Sequence, residues 1–270
     1  MKLRHGAAIL LSATVLSSLV YPVQAQPPLL ISVRDTSRSP GSTAEDLLNQ
    51  GLNQAKQGNL QAAILQYTQA LQADPTYAPA YLNRGIAYHD LGDYDHAIAD
   101  LQDAVKRDPN NAEAYYNLGE ARFHVEDLTR SLQDLSRAIA LDGNHAKAYN
   151  SRGVVYAMMG NLEQSLSDLN QAIQIDPANA DAYYNRGKAR TELKDAAGAI
   201  ADYTAAIRLN PTLAGAFGNR GLLYAETGQP NNAIADLQQA AQLFQQQGDQ
   251  ASYQQTQFFI QQLQSPGRQR

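Results

Sequence analysis

Residues 78–111 read APAYLNRGIAYHDLGDYDHAIADLQDAVKRDPNN, and the chain returns to this stretch almost in register every thirty-four residues. Sliding the sequence against itself at that period marks six tandem units: 44–77, 78–111, 112–145, 146–179, 180–213 and 214–247. A fixed period of this length marks an architecture in which each unit buries its apolar face only against its neighbours.

The recurring positions each have a physical task. The eighth residue is glycine in every copy, at Gly51, Gly85, Gly119, Gly153, Gly187 and Gly221. Glycine inside a helix costs about 1 kcal/mol relative to alanine, so its retention implies a close helix–helix approach. The twentieth residue is small (Ala63, Ala97, Ser131, Ser165, Ala199, Ala233) and the twenty-seventh is alanine throughout (Ala70, Ala104, Ala138, Ala172, Ala206, Ala240). Three small sites let two antiparallel helices touch. Larger apolar residues surround them at helical spacing, such as Tyr81, Ala87 and Tyr88 in one half of the second unit and Ile98, Leu101 and Val105 in the other. A Leu91-Gly92 turn separates the halves. Pro75, Pro109, Pro177 and Pro211 close units by stopping the second helix.

This pattern resembles the tetratricopeptide repeat family over residues 44–247. The resemblance implies an all-α fold: a right-handed superhelical solenoid of six helix-turn-helix repeats, here followed by a C-terminal capping helix at 248–264. Departures are local, with Gly143 and Gln245 at proline sites and Arg122 and Arg190 at a tyrosine site.

The flanks differ in character. Residues 1–25 combine Lys2 and Arg4, an apolar stretch from Ala7 to Val20, Pro22, and Val23-Gln24-Ala25 at a cleavage point. They read as a secretory signal peptide of an exported bacterial protein, too short in its apolar part to span a bilayer, which needs about 20 residues. The expected location is the periplasm or another extracytoplasmic compartment, with no stable membrane insertion after cleavage. Residues 26–43 mix proline, serine and glycine around one apolar run, Leu29 to Val33, and read as a flexible linker that could dock on the first unit or a partner. Behind the repeats, Asp249 caps a helix whose Ala251, Phe258, Phe259 and Leu263 are expected to cover the sixth unit, and 265–270 reads as a disordered tail.

Composition narrows the function. The 270 residues carry a net charge of −5, which argues against nucleic acid or anionic lipid as a partner. There is no cysteine, hence no disulfide, lipid-modified cysteine or thiolate metal site. His89 and His124 could approach each other, but His96 and His145 are scattered, and no metal site, cofactor or catalytic residue is expected.

In the family the resemblance points to, first helices line the concave face. The sixth position there reads Asn49, Asn83, Asn117, Ser151, Asn185 and Asn219. An amide offers a donor and an acceptor, so a row of them one repeat apart suits the backbone of an extended peptide whatever its sequence. The row also resembles the asparagine ladder in the repeat region of O-linked N-acetylglucosamine transferases, although no catalytic region follows here. Tyr116, Phe123 and Tyr184 beside it are expected to supply apolar contact. Acidic groups such as Asp90, Glu113, Glu120, Asp181, Glu192 and Glu226 outnumber Lys56, Lys147 and Lys188, so a neutral or basic segment is the expected ligand. On this reading the asparagines face the groove and contribute little to stability.

Arginine at the seventh position and aspartate at the twenty-third recur together, as Arg84 with Asp100, Arg152 with Asp168, Arg186 with Asp202 and Arg220 with Asp236. A partly buried arginine needs a partner, so these predict ion pairs that hold the scaffold. The chain reads as a non-enzymatic scaffold or adaptor gripping an extended segment, with a self-associating homo-oligomer as the alternative.

Overall fold

The computed structural model describes residues 43–265, which form thirteen α-helices and no strand. The expected signal peptide, nearly all of the linker and residues 266–270 lie outside the described residues. Thr43, expected as the last residue before the repeats, opens the first helix. The chain divides into two compact bodies at residue 160.

The first body holds α1 (Thr43–Lys56), α2 (Leu60–Ala73), α3 (Ala78–Asp90), α4 (Tyr94–Arg107), α5 (Ala112–His124), α6 (Leu128–Leu141) and α7 (Ala146–Met158). Each helix packs on the next, and the first helices of successive repeats also touch: α1 on α3, α3 on α5, α5 on α7. The second helices α2, α4 and α6 make no comparable approach to each other. Within this body the first-helix side is therefore the inner side of the curve. The second body holds α8 (Leu162–Ile175), α9 (Ala180–Glu192), α10 (Ala196–Leu209), α11 (Ala214–Glu226), α12 (Pro230–Gln246) and α13 (Gln250–Gln264), again packed in sequence order.

The repeated glycine is where first and second helices meet. A Cβ on Gly85 would sit 2.7 Å from Leu101 Cγ, one on Gly119 2.7 Å from Leu135 Cγ, and one on Gly187 2.7 Å from the Tyr203 ring. Position eight thus accommodates the large side chain at position twenty-four, and burying such a leucine is worth about 2–3 kcal/mol. The alanines at positions twenty and twenty-seven are fully buried beside it. Of the two serines that replace alanine, Ser131 donates its Oγ hydrogen to Gly119 O at 2.8 Å, whereas Ser165 Oγ is buried without a hydrogen-bond partner.

The turn inside each repeat places one residue in the left-handed region. Gly58, Gly92, Gly160 and Gly228 take it without strain, whereas Glu126 (φ 60°) and Lys194 (φ 63°) hold it with a side chain. The turn between repeats is set by the residue before proline, which proline keeps extended: Asp74, for example, has φ −142° and ψ 96°. Its carboxylate accepts the amide of Thr76, two residues on. Asp142 has the same extended conformation before Gly143 and accepts from Asn144 N at 2.9 Å, so that turn survives without proline because the aspartate makes it. At Gln245 the loss of proline has the opposite effect, and α12 runs on to Gln246.

The expected pairs of Arg84, Arg186 and Arg220 form as forks. Arg84 Nε and Nη2 donate to Asp100 at 2.7 and 2.8 Å, Arg186 to Asp202 at 2.9 and 2.6 Å, and Arg220 to Asp236 at 2.7 and 2.8 Å. The third nitrogen crosses to the preceding repeat: Arg84 Nη1 to Thr68 Oγ1, Arg152 Nη1 to Ser136 Oγ, Arg186 Nη1 to Asn170 Oδ1 and Arg220 Nη1 to Thr204 Oγ1. The polar partner is always at position twenty-five. The Arg84, Arg186 and Arg220 guanidinium groups thus each tie their own second helix to the one before.

The two arginines at the tyrosine site use the same carboxylate. Arg122 replaces the missing partner of Asp134, with Leu118 at position seven buried, and Arg190 adds a second cation to Asp202 at 2.8 Å. At the C-terminus the cap differs in detail from the expectation. Phe259 and Leu263 pack with Ile260 and Tyr253 against Leu222, Leu237 and Ala241, but Ala251 and Phe258 face outward. Helical phase decides this, since Ser252, Thr256 and Ile260 recur at four-residue spacing on the buried side.

Candidate functional site

The expected contact residues fall on first helices of both bodies, with unlike surroundings. In the first body Asn49 is exposed on α1, Asn117 is half-buried on α5, and Asn83 on α3 is 0 % exposed. Asn83 Nδ2 donates to Pro79 O at 2.8 Å and Asn117 Nδ2 to Glu113 O at 2.8 Å. Both amides use their donor on the carbonyl one helical turn back. Asn83 Oδ1 is buried without a hydrogen-bond partner. In the second body Asn185 and Asn219 are also buried, and Asn219 Oδ1 has no hydrogen-bond partner. The expectation that the sixth position stands clear of the packing is therefore corrected for Asn83, Asn185 and Asn219: adjacent first helices close over it. Leu48, Leu82, Ile86 and Thr191, on the same first helices, belong to the core as well.

Tyr116 and Phe123 stand half-buried on α5. The Tyr116 ring lies 4.9 Å from that of His145, and Glu113 Oε2 is 3.3 Å from His145 Nε2. His145 also caps α7, its Nδ1 accepting from Ala148 N. One turn beyond Tyr116, Glu120 is held above the usual carboxylate range by burial, against the opposing influence of Ser151 and of nearby His89, Lys147 and His145. Burial, with Glu120 and Glu113, likewise raises the Tyr116 phenol. Further along, the His89 and His124 rings approach to 5.1 Å, and Tyr94 stacks flat on His124 at 4.6 Å. Burial and His89 lower the His124 pKa, which favours the neutral ring. Among the described residues no three His, Asp or Glu side chains gather as metal ligands would.

Tyr184 in the second body is buried and its phenol pushed up to about 12 by burial. Its hydroxyl accepts from Asn219 Nδ2 at 3.4 Å, bringing two expected site residues together from α9 and α11. A Cβ on Gly215 would lie 2.7 Å from that hydroxyl, so glycine makes the room for it. Behind α11, an open groove of about 340 Å³ between α12 and α13 is walled by Gln238, Gln242, Gln245 and Gln257.

Two contributors escaped the sequence reading. His145 sits at position thirty-four, where Asn111 and Asn179 cap helices in other units, and that substitution was its signal. Tyr94 lies on a second helix, and nothing in its spacing tied it to His124.

Family models described as TPR repeat match residues 51–92, 87–124 and 159–194, and two described as Tetratricopeptide repeat match 180–213 and, in the other case, 112–145 and 214–247. No curated protein matches the chain. Among solved structures the chain is similar to MamA, at 32% identity over 60% of this chain and 94% of that one, with a TM-score of 0.55. It is also similar to YrrB, described as a TPR protein with an unusual peptide-binding site, at 20% identity over 71% and 97% with a TM-score of 0.54. Pseudomonas aeruginosa pilF matches at 16% identity over 80% and 96% with a TM-score of 0.69. The last two likenesses concern the fold alone.

Proposed function

We propose, since this chain belongs to the tetratricopeptide repeat family, that it is a scaffold whose first-helix face in residues 43–160 grips an extended segment of another protein. One observation carries this reading. On the inner side of that body, Asn117, Tyr116, Glu120 and Phe123 of α5 stand half-buried between neighbouring first helices, with carboxylates close by. Peptide amides can bond the polar groups, side chains can pack on the rings, and the acidic groups favour a neutral or basic segment, with affinity falling as salt rises. Asn49, exposed on α1, extends the same kind of contact along that face, whereas the buried Asn83 does not. The role is non-catalytic, in keeping with a family of interaction scaffolds.

The basic, apolar and small-residue order of residues 1–25 supports export and cleavage after Ala25, placing the adaptor in the periplasm or a comparable compartment. No helix among the described residues is long and apolar enough to cross a membrane. Crosslinking in intact cells, followed by recovery of the wild type and of a Tyr116→Ala/Asn117→Ala variant, tests the reading. A partner recovered equally with both would reject it, and an intact Met1 in the isolated protein's mass would reject export.

One observation favours self-association as a second reading. Leu91, Val125 and Met159 occupy the same turn position in successive repeats of the first body and are each about 40 % exposed, beside the more exposed Met158. Light scattering of the purified protein decides: a stable dimer abolished by Val125→Asp/Met158→Asp would favour this edge.

A further inference from the structure

We propose that residues 29–38 of this same chain, LLISVRDTSR, are an intramolecular occupant of the first-helix face in residues 43–160, a tethered segment that an external partner must displace. The proposal rests on the reading of that face as a peptide groove.

Three observations meet here. The face offers apolar surface on α5, where the Tyr116 and Phe123 rings are half-buried, so docking there removes further apolar surface from water. It also carries negative charge that the protein only partly answers. Glu113 has His145 at 3.3 Å and an amide from Asn117 at 3.1 Å, neither a permanent cation, and Glu120 is flanked by His89, His145 and Lys147. The segment supplies the complement in order: the apolar Leu29, Leu30, Ile31 and Val33, then Arg34 and Arg38 around a single acid, Asp35. The first-helix face of the second body suits it less, because Lys188 stands on α9 at the position that Glu120 occupies on α5.

The tether permits the contact. Nine residues, 34–42, separate Val33 from Thr43 at the start of α1, and at roughly 3.3–3.6 Å each they reach about 30 Å. First helices of adjacent repeats stand about 10 Å apart and a thirteen-residue helix is about 20 Å long, so all of α3 and α5 is in range. A short tether acts as an effective concentration on the order of 1 mM. A segment that binds with a Kd of only about 100 μM as a free peptide would thus be docked about nine-tenths of the time.

The test uses the chain with the segment in place. Trypsin cleavage after Arg34 and Arg38, followed by mass spectrometry, should run about tenfold slower in the wild type than in Leu30→Asp/Ile31→Asp, whose changes lie outside the described helices and leave the groove intact. Because the chain has no cysteine, the pair Ser32→Cys and Phe123→Cys can be introduced cleanly, and oxidation should give a crosslinked monomer. Equal cleavage rates in the wild type and the double aspartate variant would overturn the proposal. So would a crosslinked dimer, or protection that grows with protein concentration, since either would mean that the occupant belongs to a second copy. If the rates are equal and partner recovery still depends on Tyr116 and Asn117, the tethered occupant is wrong and the groove reading stands.

Discussion

Residues 43–160 and 161–265 are built from the same unit, yet one tyrosine position behaves differently in each. Tyr116 and Tyr184 both occupy the fifth position of a repeat. In the first body the next first helix begins with Ala146-Lys147, and Tyr116 stays half-buried beside His145 and two carboxylates. In the second body the next first helix begins with Ala214-Gly215, and the Tyr184 hydroxyl closes down where Gly215 has no side chain, meeting Asn219. One residue, thirty-one positions further on, decides whether the tyrosine is displayed or becomes core. The shared carboxylates diverge too. Asp202 holds three bonds from Arg186 and Arg190, whereas Asp134 has a single bond from Arg122, whose Nε is left without a partner.

The largest effect should come from that second contrast. Asp202→Ala strands two guanidinium groups and is expected to cost about 3–5 kcal/mol of unfolding free energy, against about 1.5–3 kcal/mol for Asp134→Ala, which loses one charged hydrogen bond. Urea midpoints of the two variants measure the difference, and equal losses would break the comparison.

The same pair separates by pH. Burial outweighs Arg122 and pushes the Asp134 carboxyl up to about 6. The folded form then holds its proton more tightly than the unfolded one, so the stability it contributes is complete below about pH 4 and is lost as the pH rises through 6. Asp134→Asn should flatten the stability of the wild type between pH 4 and 7. A slope unchanged by the substitution would show that the acid titrates no differently on unfolding.

Smaller effects test the scaffold that both bodies share. Gly85→Ala and Gly187→Ala should each cost about 1–3 kcal/mol, because the new methyl must push Leu101 or Tyr203 aside. Asn219→Ala takes the donor from the Tyr184 hydroxyl and should cost about 1 kcal/mol of stability. Asn117→Ala leaves a half-buried site and should instead weaken partner binding a few-fold with little change in melting temperature. The reverse ranking in thermal melts would erase the distinction between display and core. Smallest of all, Glu126→Gly and Lys194→Gly should each stabilise their body by up to about 1 kcal/mol, since glycine accepts the left-handed conformation without strain.

Much of this was legible in residue order. The period, the three small sites and the arginine–aspartate pairs all describe contacts inside one repeat or with the next, and they recur, so the chain states each of them several times. The position-twenty-five partners were equally legible: Thr68, Ser136, Asn170 and Thr204 each precede a repeat that carries the arginine, while Gln102 precedes one with Leu118 instead. The loop residues Glu126 and Lys194 could likewise be aligned with the glycines they replace.

What only the tertiary structure decided is exposure. A row of asparagines looks uniform along the chain, yet Asn49 is open, Asn117 half-buried and Asn83 sealed. Helical spacing assigns a side chain to a face, but burial depends on the volume of residues facing it from the next helix. Those residues, Lys147 opposite Tyr116 and Gly215 opposite Tyr184, lie at positions where the repeats do not agree. Repetition therefore determined the scaffold from the sequence alone, while the non-repeating residues, acting through space, decided which parts of the first-helix face are open to a ligand.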